Sequence, residues 1–324
     1  MNSRERFLET MRYGTPDRVP YFEEGIRRAV IKAWRKQGLP RGAVLSKMFP
    51  TDGREEIDVD LEPRPKPRKW PTSLGDLPAL QRALDPYDKR RLPRRWAKRV
   101  REWQDRDHVL MLRVHRGLFI SMGVMGWQRF TEVIRMLVYA PEVVHETMRI
   151  QGKFAANLAE MVLQKVDVDA AVFSEPIGEN HGPLISPRMY QEFVLPSYEP
   201  LLNVLGKHGV ENIIFRTFAN ARLLIPSILK WGFNCLWACE VNLDDMDYSD
   251  LRREFGRDLR LIGGIDLDAL RHDKETIRRE LEKKLPPLLA DGGYIPLADG
   301  RVRQDVPYEN YVYYRKFLEK VTKG

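Results

Sequence analysis

Short apolar runs ending on polar residues, separated by stretches with apolar positions at helical spacing, recur about seven times along the chain. That alternation predicts parallel strands joined by helices, because a strand buried on both faces reads as a continuous apolar run. The expected strands are Arg18–Glu24, His108–His115, Val168–Glu175, Asn212–Phe218, Cys235–Val241, Leu259–Asp266 and Tyr294–Asp299. A first helix is predicted over Ser3–Tyr13, with Ser3 as cap and Phe7, Leu8 and Met11 on one side, and a second near Arg27–Gln37. Ser186-Pro187 reads as another helix start, the serine capping and the proline in the first turn. Between about Phe49 and Pro93 the pattern breaks into an irregular, proline-rich stretch, expected to be an insertion.

The predicted class is α/β, a (β/α)8 TIM barrel with an irregular N-terminal insertion. A chain of 324 residues accommodates the usual barrel of about 250 residues plus that elaboration, so a single domain over residues 1–324 is expected. In such a barrel the chemistry sits at the strand ends, which here are polar. Alternate strand residues face opposite sides. If Glu175 points inward above Ala171, then by the expected parity Arg216, Glu240, Asp266 and Asp299 do too, above Ile214, Ala238, Gly264 and Leu297. One pocket would hold four carboxylates and a guanidinium. His115 and Arg116, at the end of an apolar strand, are expected at the same mouth. The histidine is a candidate acid or base or a hydrogen-bonded structural residue.

Composition narrows the setting. Two cysteines argue against a disulfide scaffold, the start Met1-Asn-Ser-Arg-Glu-Arg lacks the apolar core of a signal peptide, and no apolar run of about 20 residues is present. A cytoplasmic location without membrane contact is expected; the oligomeric state is not readable. The formal charge is +8, and much of the excess lies between Arg64 and Arg106, interleaved with Trp70, Trp96 and Trp103. That pattern fits a nucleic-acid backbone with stacked bases. It equally fits a solvated helix whose tryptophans pack inward, the reading preferred here, or a surface that docks an acidic partner or steers an anionic substrate.

Three blocks carry a resemblance: Arg4-Glu-Arg-Phe-Leu-Glu-Thr-Met-Arg-Tyr-Gly-Thr-Pro-Asp-Arg-Val-Pro, Gly182-Pro-Leu-Ile-Ser-Pro-Arg-Met-Tyr-Gln-Glu-Phe-Val-Leu-Pro, and Leu261-Ile-Gly-Gly-Ile-Asp with Gly292-Gly-Tyr-Ile-Pro and Asp305-Val-Pro-Tyr-Glu-Asn-Tyr. Together they resemble the uroporphyrinogen decarboxylase superfamily. The resemblance implies a (β/α)8 barrel and either tetrapyrrole decarboxylation or zinc-dependent methyl transfer involving corrinoid proteins.

Departures from the family pattern bear on the branch. Where decarboxylases carry Arg-Gln-Ala-Gly-Arg for substrate carboxylates, this chain reads Glu23-Glu-Gly-Ile-Arg-Arg, so tetrapyrrole decarboxylation is not expected; Arg27 and Arg28 are either an anion grip or exposed helix arginines, and Glu23 is a candidate substrate contact. Where methyltransferases place zinc ligands, it reads Phe215-Arg-Thr-Phe; neither guanidinium nor phenyl binds zinc, so Arg216 and Thr217 become substrate contacts. A rebuilt site from Cys235 and Cys239 fails on spacing, since strand rise separates them by roughly 13 Å. Glu175, Glu179, His181 and Glu240 remain an alternative ligand set. The expectation is therefore no metal and no firmly bound cofactor, zinc being disfavoured, with a corrinoid carried by a partner protein and a small molecule as substrate. The leading function is corrinoid-dependent demethylation of a small, anionic methyl donor, with Glu175, Glu240, Asp266, Asp299 and His115 as catalytic candidates and Arg216, Arg116, Glu23 and Thr217 as substrate contacts. The alternatives are a lyase or decarboxylase-like enzyme on an anionic substrate and a non-catalytic ligand-binding relative.

Overall fold

A computed structural model describes residues 1–239 and 246–323. The fold is mixed α/β, and its contacts define two compact units, one of residues 55–106 and 110–234, the other of residues 1–54, 107–109 and 235 onward.

In the first unit, apart from the initial residues Arg54 and Val109, lie β1 (Arg54–Ile57), β2 (Val109–His115), β3 (Ala170–Glu175), β4 (Gly178–Glu179), β5 (Gly182–Pro183) and β6 (Ile213–Phe218). Their sheet runs β1-β2-β3-β6, with β2, β3 and β6 parallel, while β4 and β5 make a small antiparallel hairpin. The apolar runs bury almost completely: Leu110, Leu112, Ala171, Phe173, Ile214 and Phe215 are inaccessible. Helix Pro141–Leu163 packs along helix Leu195–Lys207 beside the strands. Asp169 anchors the start of the sheet by accepting from Leu110 N at 2.8 Å and Arg106 Nη2 at 3.1 Å. Trp103 is buried, donates to Glu55 Oε2 at 3.0 Å and meets Trp96 edge to face, so the basic helix Trp96–Gln104 turns this ring inward.

The second unit contains β7 (Cys235–Cys239), β8 (Arg260–Ile265) and β9 (Tyr294–Ala298), in that order and in parallel. Helix Lys274–Asp291 packs on the C-terminal helix Tyr308–Thr322. Gly264 has φ +83°, and a Cβ there would come within 2.5 Å of the Tyr248 ring. Tyr248 uses that space to donate to Ile262 O at 2.8 Å and accept from Ala238 N at 3.1 Å.

Several expectations are corrected. Arg18–Glu24 is extended but pairs as no strand; Pro20 lacks a donor, and Tyr21 instead exchanges hydrogen bonds with Asp52, through Tyr21 N to Oδ2 at 2.7 Å and Asp52 N to Tyr21 O at 2.9 Å. Asp52 is buried between the guanidiniums of Arg6 and Arg18. The first strand is Arg54–Ile57, inside the stretch expected to be irregular; its Arg-Glu-Glu-Ile sequence carries no apolar alternation. The first helix is capped by Asn2, not Ser3, in a capping box with Glu5. Among the described residues no helix is long and apolar enough to cross a membrane.

Candidate functional site

Residues in register on parallel strands share a face. Val172 pairs with Ile214 and Ser174 with Arg216, whereas Phe173 pairs with Phe215 and Glu175 with Thr217. Glu175 and Arg216 therefore point to opposite faces, contrary to the inward convergence expected from parity. The expectation aligned strand ends by sequence, and the ladder is offset from that alignment by one residue, which inverts every side chain.

On one face, Arg216 Nη2 lies 3.0 Å from Glu56 Oε2, and Arg113 Nε lies 4.0 Å from the same carboxylate while its Nη2 pairs with Asp58. Just beyond the end of β2, Arg116 pairs with Glu62. Among the described residues, two of these guanidiniums keep a buried nitrogen with no hydrogen-bond partner, Nε of Arg113 and Nη2 of Arg116. Burial pulls the Arg116 guanidinium below its ordinary range, with Glu62 opposing. A buried donor nitrogen left unused costs stability and gains a partner when an acceptor reaches it.

The opposite face is aromatic and dry. Glu175 is wholly inaccessible; its Oε2 accepts from Tyr198 OH at 2.6 Å and Tyr190 OH at 3.2 Å, and its Oε1 from Leu118 N at 2.9 Å. Burial pushes its carboxyl up to about 7, with those three hydrogen bonds opposing. His115 is buried beside it, its ring edge to face with Tyr198 at 4.6 Å. Burial, then the charge of Arg116, pulls the imidazole down to about 3. Its Nδ1 accepts from Gly117 N at 2.9 Å, so the proton of the neutral ring sits on Nε2. Gly117 has φ +81°, and a Cβ there would be 2.3 Å from Glu175 Oε1. His115 and Glu175 thus grip the Gly117–Leu118 turn from both sides and fix the segment that carries Arg116. Thr217 is inaccessible on this same face.

In the other unit, Asp299 is buried, Oδ1 accepting from Gly264 N at 2.8 Å and Oδ2 without a partner among the described residues. Burial holds its carboxyl well above the usual range, with the Gly264 hydrogen bond and then the charge of Lys284 opposing. Lys284 donates to Gly264 O at 3.0 Å and pairs with Glu280 at 2.5 Å. Asp266 is raised by burial as well; its N–H donates to Glu280 Oε1 at 2.9 Å, and it borders a cavity of about 330 Å³ with His272, Thr276 and Arg279. Glu23 accepts from Tyr311 OH at 2.7 Å and Arg315 Nη1 at 3.3 Å, which ties it to the C-terminal helix rather than to an open surface. Glu240 lies outside the described residues.

The family model described as "Uroporphyrinogen decarboxylase (URO-D)" matches residues 119–318, well over half of the chain. The chain belongs to the uroporphyrinogen decarboxylase family. Among curated members, the uroporphyrinogen decarboxylase of Syntrophotalea carbinolica is 24% identical over 200 residues, 61% of this chain and 55% of that protein. That of Geobacter metallireducens is 23% identical over 201 residues, with the same two coverages. The matched segment thus spans about half the length of these uroporphyrinogen decarboxylases. A solved methyltransferase from Methanosarcina mazei shares the fold, with a TM-score of 0.62 at 13% identity over 98% of this chain and 99% of that one.

Among the described residues, the donors do not match the zinc that the resemblance to the methyltransferases implies. Arg216 and Phe218 offer no lone pair to a metal. Both cysteines are buried among apolar strand residues, and burial pushes the Cys235 thiol up to about 12. Glu179 and His181 are exposed on the β4–β5 hairpin while Glu175 is committed to its tyrosines. Among the described residues no three His, Cys, Asp or Glu side chains gather as a metal site. Sequence reasoning missed Arg113, Glu56, Tyr190 and Tyr198. A lone arginine inside Val109-Leu-Met-Leu-Arg-Val-His was the signal for the first; the others required the fold.

Proposed function

We propose that this member of the uroporphyrinogen decarboxylase family is a small-molecule enzyme whose substrate carries a carboxylate or phosphate, held at the ends of β2 and β6 by Arg113, Arg116 and Arg216. The observation that carries the reading is the pair of buried guanidinium nitrogens, on Arg113 and Arg116, without partners among the described residues. Planar guanidiniums bind carboxylate and phosphate oxygens in pairs. Glu56, lying between Arg113 and Arg216, occupies the position of such an anion and is the group a substrate would displace or share.

For the reaction we infer demethylation of that anion, a reading supported by the shared fold with a methyltransferase over nearly the whole chain. A corrinoid on a partner protein would supply the methyl acceptor. This chain's residues would bind the donor, orient it through the guanidiniums and keep water from the dry side of the sheet. The same reading takes the chain to close as an eight-stranded (β/α)8 barrel and to work in the cytoplasm. Decarboxylation of an anionic substrate is the second reading, favoured by the relatives' names and using the same guanidiniums.

The test is calorimetry with a panel of methoxylated and unmethylated aromatic carboxylates and phosphate esters, followed by turnover with reduced cobalamin as methyl acceptor. Arg116→Ala and Arg216→Ala should each weaken binding of the best anion by roughly tenfold or more, the loss of one charge-assisted contact. Methyl appearing on cobalamin supports demethylation; carbon dioxide release without it favours the second reading. Binding that ignores both substitutions removes the basis of the assignment.

A further inference from the structure

Outside this site, the segment between Asp60 and Arg91 is organised around one buried guanidinium. Arg91 is 1% exposed and donates to four main-chain oxygens: Asp85 at 2.5 Å, Asp60 at 3.0 Å, Glu62 at 2.7 Å and Ala83 at 2.8 Å. It also stacks over Phe154 at 4.5 Å, and Arg64 N donates to Ala83 O at 2.7 Å. These bonds draw residues 60–64 against 83–85 although the stretch has little regular structure.

The frame leaves a cleft of about 500 Å³ lined by Lys66, Arg68, Lys69 and Arg82, with Pro67 and Pro71 in its walls. All four cations are exposed, and none forms an ion pair or hydrogen bond among the described residues. Their neighbours differ: Arg64 pairs with Asp60, Arg90 with Asp88, and Arg91 is satisfied by the backbone. The carboxylate in the lining, Asp76, is already engaged, its Oδ2 accepting from Thr72 N at 2.9 Å and from Ser73 N and Oγ at 3.0 Å. The opposite side of the loop is fixed, because Pro71 O accepts from Arg129 Nη2 at 3.0 Å.

We propose that this cleft binds a small ligand bearing two or three linked phosphate groups. Four cations face the single carboxylate of Asp76, which lies in the field of Lys69, so three excess positive charges around one concavity repel one another until a further anion enters, and a single phosphate would match only part of that excess at neutral pH. The volume is that of an ordinary small-molecule site, and prolines with fixed φ lower the entropy lost on ordering the walls. The lining shares no residue with Arg113, Arg116 or Arg216, so this inference stands or falls independently of the proposed reaction.

Calorimetry of the full chain with inorganic tripolyphosphate, against orthophosphate, at roughly physiological salt tests it, because diffuse surface attraction is screened there. The expected result is one saturable site per chain that prefers tripolyphosphate. The pair Arg68→Gln and Arg82→Gln should weaken it by about tenfold or more, and Lys66→Glu should do the same, whereas Arg94→Gln with Arg101→Gln, an equal charge loss at exposed positions outside the cleft, should change it less than about twofold. Unchanged thermal unfolding confirms that the variants fold. Equal weakening by both pairs, no saturable heat, or tighter binding of a single-stranded oligonucleotide or a poly-glutamate peptide than of tripolyphosphate would each overturn the proposal.

Discussion

Replacing Glu175 by Gln removes the buried carboxyl held by Tyr190, Tyr198 and the Leu118 amide while keeping its shape. The native carboxyl titrates near 7 against an ordinary 4.5, chiefly because burial disfavours its charge. Its native pKa is raised, so between those values the folded protein holds a proton that the unfolded chain has released. Stability associated with this group is therefore fully present below about pH 4.5, falls as pH rises, and is lost above about pH 7. The shift corresponds to about 3 kcal/mol of stability lost across that window. Glutamine does not titrate, and its amide can donate to a tyrosine oxygen once the hydroxyl reorients, so at pH 4.5 the variant should lie within about 1 kcal/mol of wild type. Urea unfolding of both proteins from pH 4.5 to 8 measures the difference. The imidazole of His115, held down near 3, changes stability in the opposite direction below its ordinary value, but it is common to both proteins and cancels. The variant should gain about 3 kcal/mol relative to wild type between pH 4.5 and 7, then run parallel to it. A difference that stays flat over this range, or wild type gaining on the variant, would refute the view that Glu175 is held protonated by burial. Glu175→Ala is the contrasting case: it strands three buried donors, and at about 1–3 kcal/mol each it should be destabilising at every pH.

Gly264→Ala forces a side chain into a left-handed conformation and within 2.5 Å of the Tyr248 ring; a loss of about 2 kcal/mol or more is expected by thermal unfolding, and a neutral result would refute that packing. Arg91→Met removes four hydrogen bonds to backbone oxygens and should make residues 60–91 the first site of limited proteolysis, with a cleavage map unchanged from wild type counting against the frame. Metal analysis of the purified, dialysed protein should find well below one zinc per chain, because Arg216 and Phe218 supply no ligand atoms; stoichiometric zinc would restore a metal-based mechanism.

The strands β2, β3, β6, β8 and β9 were legible because they are apolar runs bounded by turns, and each begins and ends within about two residues of its predicted limits; β7 begins at the predicted Cys235, its predicted end lies outside the described residues, and the short β4–β5 hairpin was not foreseen. Arg54–Ile57 was not, since three of its four residues are charged and only pairing with a neighbour makes them a strand. Arg18–Glu24 looked like a strand by composition, but its polar groups are taken by Asp52. The guanidinium site was half visible: Arg116 and Arg216 stood out as charges at strand ends, while Glu56 and Asp58 reach Arg113 from a segment whose position no local pattern encodes. Parity misled for Glu175 because side-chain direction depends on the register between strands, and register is a long-range property.

The irregularity in β2 has a consequence for how such a sheet can change over time. Arg113 is level with Val172 but His115 with Phe173, so two residues that would share a face in a regular strand face opposite ways. Deleting Val114 would restore regular alternation and leave the imidazole level with Phe173, on the face away from the arginine, with Met111 and Leu112 where they are. One codon can thus be lost from this strand without moving its histidine from the face on which it braces the turn. A lineage can therefore gain or lose this bulge without reassigning the side chains on either side of it.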